Sequence, residues 1–283
     1  MKIGLALGGG GARGAAHIGV LMELERLEIR PALITGTSIG GLVGALYASG
    51  LTCDDLTDCF REMNIASLYS FSGSAAALAG VNKIEQLLES YIGRPKFSEL
   101  GLPLAVVTSD LVSRKEVILD EGDVITAVLA TIAIPILFPP VERDGMVLTD
   151  GGILNNTPFS IARARGATYV IAVDLSNTAP FGTPDKPAPT PTGVLGKALA
   201  LTQRQKTWQI MSVVADIITA QTLQKHLAIS KPEILLQPNM GSIGLFDFHR
   251  LDEGLAAGKT AVREVEAQLA AINKKTIGRR KEE

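Results

Sequence analysis

The chain has 283 residues, enough for one large α/β domain or two small ones, and its 46% apolar and 20% charged residues suit a globular protein with a sizeable core. A net charge of −2 provides no basic field over the whole surface, which argues against nucleic acid as a partner. The two cysteines, Cys53 and Cys59, lack a second pair or a nearby histidine, so no metal site is expected and reduced thiols in a cytoplasmic protein are the plain reading.

In chain order, residues 3–7 read as a short apolar strand, too short an apolar run for a secretory signal and followed at once by glycines. Ala15 to Leu27 places Ile18, Leu21, Met22 and Leu24 at helical spacing, and Pro31 ends that helix. Ala32-Leu33-Ile34 is a second buried strand, and Gly40 to Ala48 a small-residue helix closed by Gly50. Residues 51–101 read as helical with irregular connections, including an Ile84-Leu87-Leu88-Tyr91 stripe. Leu104 to Val107 and Glu116 to Leu119 are two further strands, and Asp123 caps a helix through Leu129. Val124 to Pro140 is the most apolar stretch, but it is broken by Pro135 and shorter than the ~20 residues of a membrane span.

Met146 to Leu148 is a strand that stops at Asp150-Gly151-Gly152, Pro158 opens a helix to 165, and Tyr169 to Val173 is a buried strand. Residues 176–193 carry five prolines and read as a surface loop. Beyond it come a long helix (about 195–228), a strand from Glu233 to Leu236 and a helix (about 250–273), which complete the first sheet rather than build a second core. The expectation is therefore one domain over 1–273. It is an α/β fold, a three-layer α/β/α sandwich with a mainly parallel central sheet covered on both faces. The basic end, 274–283, reads as a solvated, frayed tail, with weak attraction to anionic lipid as its functional alternative.

Three motifs carry chemistry. Gly8-Gly9-Gly10-Gly11-Ala12-Arg13-Gly14 follows a strand and opens a helix, a context that turns backbone N–H groups toward one anion, either a phosphate or a developing oxyanion. Gly9, Gly11 and Gly14 also spell a dinucleotide fingerprint. Gly36-Thr37-Ser38-Ile39-Gly40 has the strand–turn–helix setting of a nucleophile elbow, with Ser38 at the turn and Gly36 and Gly40 removing clashes. Asp150-Gly151-Gly152 ends a strand and is, by itself, a common turn.

Together, in this order and spacing, the motifs resemble the patatin-like phospholipase family. Ala133-x-Pro135-x-x-Phe138-Pro139-Pro140, Gly244-Leu245-x-Asp247-Phe248-His249 and His17 to Leu21 extend the resemblance over about residues 3–270, closest to bacterial members. One departure is Leu129, where the family pattern would have arginine; a charge-based role there is lost while the three core motifs stand. The resemblance implies a catalytic dyad of Ser38 as nucleophile and Asp150 as general base. It also implies an oxyanion site at Gly9, Gly10, Gly11 and Gly14 with Arg13 bracing the loop or adding charge, and Gly151 and Gly152 as supporting turn residues. It implies no metal or organic cofactor, and a lipid or lysophospholipid ester as substrate. With no targeting segment visible, the expected localisation is cytoplasmic, with transient contact to a membrane surface.

Three other readings compete with this one. Ser38, Asp150 and His249 stand in the chain order of an α/β-hydrolase triad, but that fold places several strands before the elbow, and here only one precedes it. His17, just past the glycine loop, suits a structural hydrogen bond. A dinucleotide site needs an acidic residue at the end of the second strand, where this chain has Gly36-Thr37-Ser38. A non-catalytic adaptor would not need all three motifs intact. Near the site, Leu68-Tyr69-Ser70-Phe71 and Ala75 to Leu78 are candidates to meet an acyl chain, or plain core.

Overall fold

The computed structural model of the protein describes residues 1–63, 74–176 and 195–279. The loop expected at 176–193 and the segment Leu68 to Phe71 therefore fall almost wholly outside the described residues, as do the side chains of Ala75 to Leu78.

Eight strands form one sheet: β1 (Ile3–Leu7), β2 (Leu33–Thr37), β3 (Leu104–Asp110), β4 (Lys115–Leu119), β5 (Val141–Arg143), β6 (Met146–Asp150), β7 (Tyr169–Val173) and β8 (Ile234–Leu236). The order across the sheet is β5-β6-β3-β2-β1-β7-β8, with β4 also paired to β3. β1, β2, β3, β7 and β8 are mutually parallel, and β4 and β6 run antiparallel to β3. The mainly parallel sheet thus has a mixed edge. β5, only three residues with two charges among them, has no apolar run to mark it in the sequence.

The helices are α1 (Ala15–Arg26), α2 (Ile39–Ala48), α3 (Cys53–Glu62), α4 (Ser74–Ile92), α5 (Val124–Thr131), α6 (Phe159–Ala164), α7 (Leu195–Ile229), α8 (Leu251–Glu264) and α9 (Glu266–Arg279). The single helix expected over about 250–273 is divided at Val265, whose backbone (φ −113°, ψ 14°) leaves the helical range, and its second part runs on to Arg279. Successive side chains in the central strands face opposite sides of the sheet, and both sides are buried. Leu5, Leu7, Ile171 and Val173 pack into the core with α1, α2 and α8, whereas Ala6, Val170 and Ala172 face Phe159 and Ala162 of α6 and Leu223 of α7. Both faces are covered, which gives the three layers and explains why these strands read as unbroken apolar runs.

β3 is where the topology makes a site. Its residues 104–107 pair with β2 in parallel, ending at Thr37 beside Val107. Its residues 108–110 pair with β6 in antiparallel, ending at Asp150 beside Thr108. β4 pairs residues 106–110. Since Val106 and Val107 pair with both β2 and β4, and Thr108 to Asp110 with both β4 and β6, β2 and β6 must share one edge of β3. They approach each other head-on along it. The residue that follows Thr37 and the last residue of β6 meet there, and these are Ser38 and Asp150.

Candidate active site

Ser38 sits between β2 and α2 with φ 54° and ψ −127°, a left-handed conformation that L side chains rarely adopt. Its N–H donates to Thr131 Oγ1 at 2.8 Å, and that hydroxyl donates to Val107 O at 2.5 Å. Thr131, at the end of α5, therefore pins the turn; no sequence motif pointed to it. The flanking glycines are packing requirements. A Cβ on Gly36 would lie 2.5 Å from Gly40 O, and one on Gly40 would lie 2.2 Å from Leu7 O.

Asp150 caps the 3-10 turn Gly151–Ile153, with Oδ1 accepting the Gly152 N–H at 2.8 Å. Its own N–H donates to Ala133 O at 3.0 Å, which ties it to the segment after α5. Burial pushes the Asp150 carboxyl up to about 6, while hydrogen bonds with the Ser38 side chain and the Gly152 N–H pull part of that shift back. A weakly basic carboxylate is thereby made a better proton acceptor, and it shares one cavity with the Ser38 side chain. Gly151 belongs to the scaffold: a Cβ there would lie 2.4 Å from Val107 O.

The glycine loop ends in a 3-10 turn, Gly11–Gly14, ahead of α1. Not all of its amides are free. The Gly8 N–H donates to Val173 O at 2.9 Å and the Gly9 N–H to Asn156 O at 3.1 Å, leaving those of Gly10 and Gly11 without a partner among the described residues. Both belong to peptides whose carbonyls are anchored: Gly9 O accepts from Asn156 Nδ2 at 3.3 Å, and Gly10 O accepts from the Arg13 N–H at 3.2 Å. In a trans peptide the N–H points opposite the C=O, so anchoring the two carbonyls aims the two N–H groups. Gly14 packs away from this point, where a Cβ would lie 2.3 Å from Ile39 Cγ1.

Arg13 lines the cavity but is buried, and its guanidinium nitrogens are taken up by other partners. Nε donates to Ile243 O at 2.8 Å and Nη1 to Leu175 O at 3.3 Å, while Nη1 and Nη2 grip both carboxylate oxygens of Asp216 at 2.5 and 2.9 Å. It is a brace for the loop. Asn156 and Asp216 had no sequence signal of their own, since each works through a residue far away in the chain.

Burial pulls His17 down to about 4, so its ring is neutral and Nε2–H donates to Gly8 O at 2.7 Å under the loop. His226 lies edge-on to Phe159. His249 is exposed on the turn Phe248–Arg250 and lines no part of the cavity described next, which removes the geometric basis for a triad. Leu129 is half-buried against the core. Cys53 and Cys59 are buried thiols, each pushed up to about 12 chiefly by burial. Among the described residues, no three His, Cys, Asp or Glu side chains gather as metal ligands would.

Ser38, Asp150, Gly9, Gly10 and Gly11 open on a cavity of about 420 Å³. Its remaining walls are largely apolar: Ile134 to Leu137, Ile153, Leu175, Leu245 and Phe246, with Ile210, Val214 and Ile218 from α7. Ile136 is 88% exposed at the rim. Among the described residues, no helix is long and apolar enough to cross a membrane.

Gly11 gives a direct check on the loop. It has φ 57°, and a Cβ there would lie 2.3 Å from Leu245 O. Gly11→Ala is expected to cost about 2 kcal/mol or more, combining left-handed strain with a backbone clash, read as a lower midpoint in urea unfolding.

Comparison with known families agrees with this geometry. The patatin-like phospholipase family matches residues 5–163, more than half of the chain. This chain belongs to the patatin-like phospholipase family. An uncharacterized NTE family protein of Mycobacterium tuberculosis is 32% identical over 276 residues, covering 93% of this chain and 46% of that protein. Mouse patatin-like phospholipase domain-containing protein 6 is 28% identical over 272 residues, covering 89% of this chain and 19% of that protein. The chain thus spans less than half the length of either relative. Among solved structures, VipD from Legionella pneumophila has a TM-score of 0.57 at 13% identity, covering 93% of this chain and 67% of that one, a likeness of fold. The patatin-like match encloses all three motifs, from the glycine loop to Asp150-Gly151-Gly152.

Proposed function

We propose that the protein is a serine acyl hydrolase that cleaves carboxylic esters of lipids through a Ser38–Asp150 dyad. The observation that carries this reading is that Ser38 and an Asp150 carboxyl whose basicity burial has raised lie buried where β2 and β6 meet, on one cavity. Ser38 Oγ adds to the ester carbonyl as its proton passes to Asp150. The carbonyl oxygen becomes an oxyanion, for which the amides of Gly10 and Gly11 are the free donors; each well-placed donor contributes about 3–4 kcal/mol to such a step. Asp150 then returns its proton to the departing alkoxide, leaving an acyl-serine. Water adds to the acyl-serine by the same steps, its proton going to Asp150 and then back to Ser38 Oγ.

The apolar cavity supports an acyl chain as the recognised group, within the roughly 300–1,000 Å³ usual for small-molecule sites. A lysophospholipid or other lipid ester fits this chemistry, with the alcohol portion toward the open rim. Incubation with a fluorophosphonate probe tests the assignment. Labelling of the wild type that disappears in Ser38→Ala and survives in His249→Ala is the expected result, with ester hydrolysis in His249→Ala within about two-fold of wild type. Folded wild-type protein that takes up no probe would overturn the hydrolase reading, and loss of labelling in His249→Ala would restore the triad.

A further inference from the structure

We propose that Asp216 is a positioning residue for the oxyanion loop, holding the Gly11 N–H in its working direction through Arg13; this rests on the hydrolase reading above. The guanidinium of Arg13 is 2% exposed and is met by three segments that are far apart in the chain: the end of β7 at Leu175, the loop at Ile243, and α7 at Asp216. Asp216 supplies the only charge among these partners, and it takes two of the guanidinium nitrogens in a forked pair. Its side chain is 13% exposed, so the pair is largely shielded from water.

The connection to chemistry runs through one peptide plane. The Arg13 N–H donates to Gly10 O, and Gly10 C=O and Gly11 N–H belong to the same planar unit. Where Arg13 stands therefore decides where the Gly11 N–H points. The peptide has glycine on both sides, so no Cβ resists its rotation once the anchor shifts. An arginine left buried without its counter-charge is driven toward water, because an isolated charge in a shielded site is strongly unfavourable. Loss of the Asp216 carboxylate removes the charged anchor that holds Arg13, and through it the Gly10–Gly11 peptide. The hydroxyl and its base stay intact while one oxyanion donor turns away. Val214, Asp216 and Ile218 all line the cavity, so α7 both bounds the site and grips its loop.

The test uses the full-length chain with Asp216→Ala, the nearly isosteric Asp216→Asn, and Asp216→Glu. Each is measured on a p-nitrophenyl ester and against two inhibitors. An alkyl boronic acid forms a tetrahedral anionic adduct on the serine and needs the oxyanion donors; a long-chain alcohol occupies only the apolar cavity. The expected result for Asp216→Ala and Asp216→Asn is a fall in kcat of about 100-fold, comparable to the loss of one oxyanion donor, with KM within about three-fold. Boronate affinity falls in the same proportion and alcohol affinity is unchanged. Asp216→Glu, which restores a carboxylate, recovers most of kcat.

A kcat within about three-fold of wild type in Asp216→Asn overturns the inference. So does a loss equal to the unfolded fraction measured by circular dichroism, or a parallel weakening of both inhibitors. If wild type is labelled by the fluorophosphonate, Ser38→Ala is not, and the Asp216 variants behave as wild type, the hydrolase reading stands and only this inference fails.

Discussion

Asp150→Asn is expected to lose about 10³-fold in kcat and at the same time to melt higher than the wild type at pH 7. The loss follows from removing the buried carboxylate beside Ser38 that would take its proton, and general-base contributions run to about 10²–10⁴-fold. The gain follows from linkage. The folded-state pKa of Asp150 is about 6, raised from 3.8, so between those values the folded state binds more protons than the unfolded chain. Stability therefore falls as pH rises from about 4 to about 6, and the whole penalty is present above that window.

A shift from 3.8 to about 6 corresponds to at most about 3 kcal/mol, which asparagine removes while keeping an oxygen for the Gly152 N–H. For a domain of this size the rise in Tm is roughly 5–10 °C at pH 7, shrinking toward zero near pH 4. Calorimetry of both proteins across pH 4–8 checks this. An aspartate kept for packing alone would give a variant that is inactive and less stable, with no such pH window. The same ionisation should appear in the wild-type rate: kcat/KM rises with pH to a plateau, with an apparent pKa near 6, because the base must be deprotonated to accept the proton.

The parts of this arrangement that were legible in the sequence are the local ones. β1, β2, β3 and β7 are buried on both faces, so they read as apolar runs, and the glycines at 8–14, 36 and 40 follow from close backbone approaches a Cβ would block. The family resemblance supplied the partnership of Ser38 with Asp150, and the structure adds why they meet: β3 is long enough to take β2 and then β6 along one edge.

What was not legible depends on partners distant in the chain. Nothing local indicates that the Gly9 N–H is taken up by Asn156 O, or that Arg13 closes on a carboxylate 203 residues away. The family resemblance implied five residues at a proposed oxyanion site, and hydrogen-bond geometry separates them. Gly10 and Gly11 present free donors, Gly9 is anchored, and Arg13 and Gly14 support the loop from behind. His249 is the converse case: chain order made it a triad candidate, yet it stands exposed on a turn.

Ser38→Gly separates catalytic demand from folding demand at the elbow itself. Serine is held at φ 54° and ψ −127°, a conformation glycine adopts without a Cβ penalty, and such strain costs about 1–3 kcal/mol. Glycine keeps the N–H that Thr131 Oγ1 accepts, so the turn loses none of its backbone anchors. The hydroxyl that faces Asp150 is lost, and with it one hydrogen bond that held the carboxyl pKa down. That loss raises the cost of burying the carboxyl at pH 7, which offsets part of the relieved strain. Ser38→Gly is therefore expected to be unlabelled by fluorophosphonate and inactive on esters, yet more stable than wild type by about 1–2 kcal/mol in urea unfolding at pH 7. Ser38→Ala, which keeps the Cβ in the same strained turn, should be equally inactive without most of that gain. The difference between the two variants measures the strain directly. Equal stability would mean that the elbow relaxes around alanine, and that its left-handed turn is not where the fold gives up stability to hold a nucleophile.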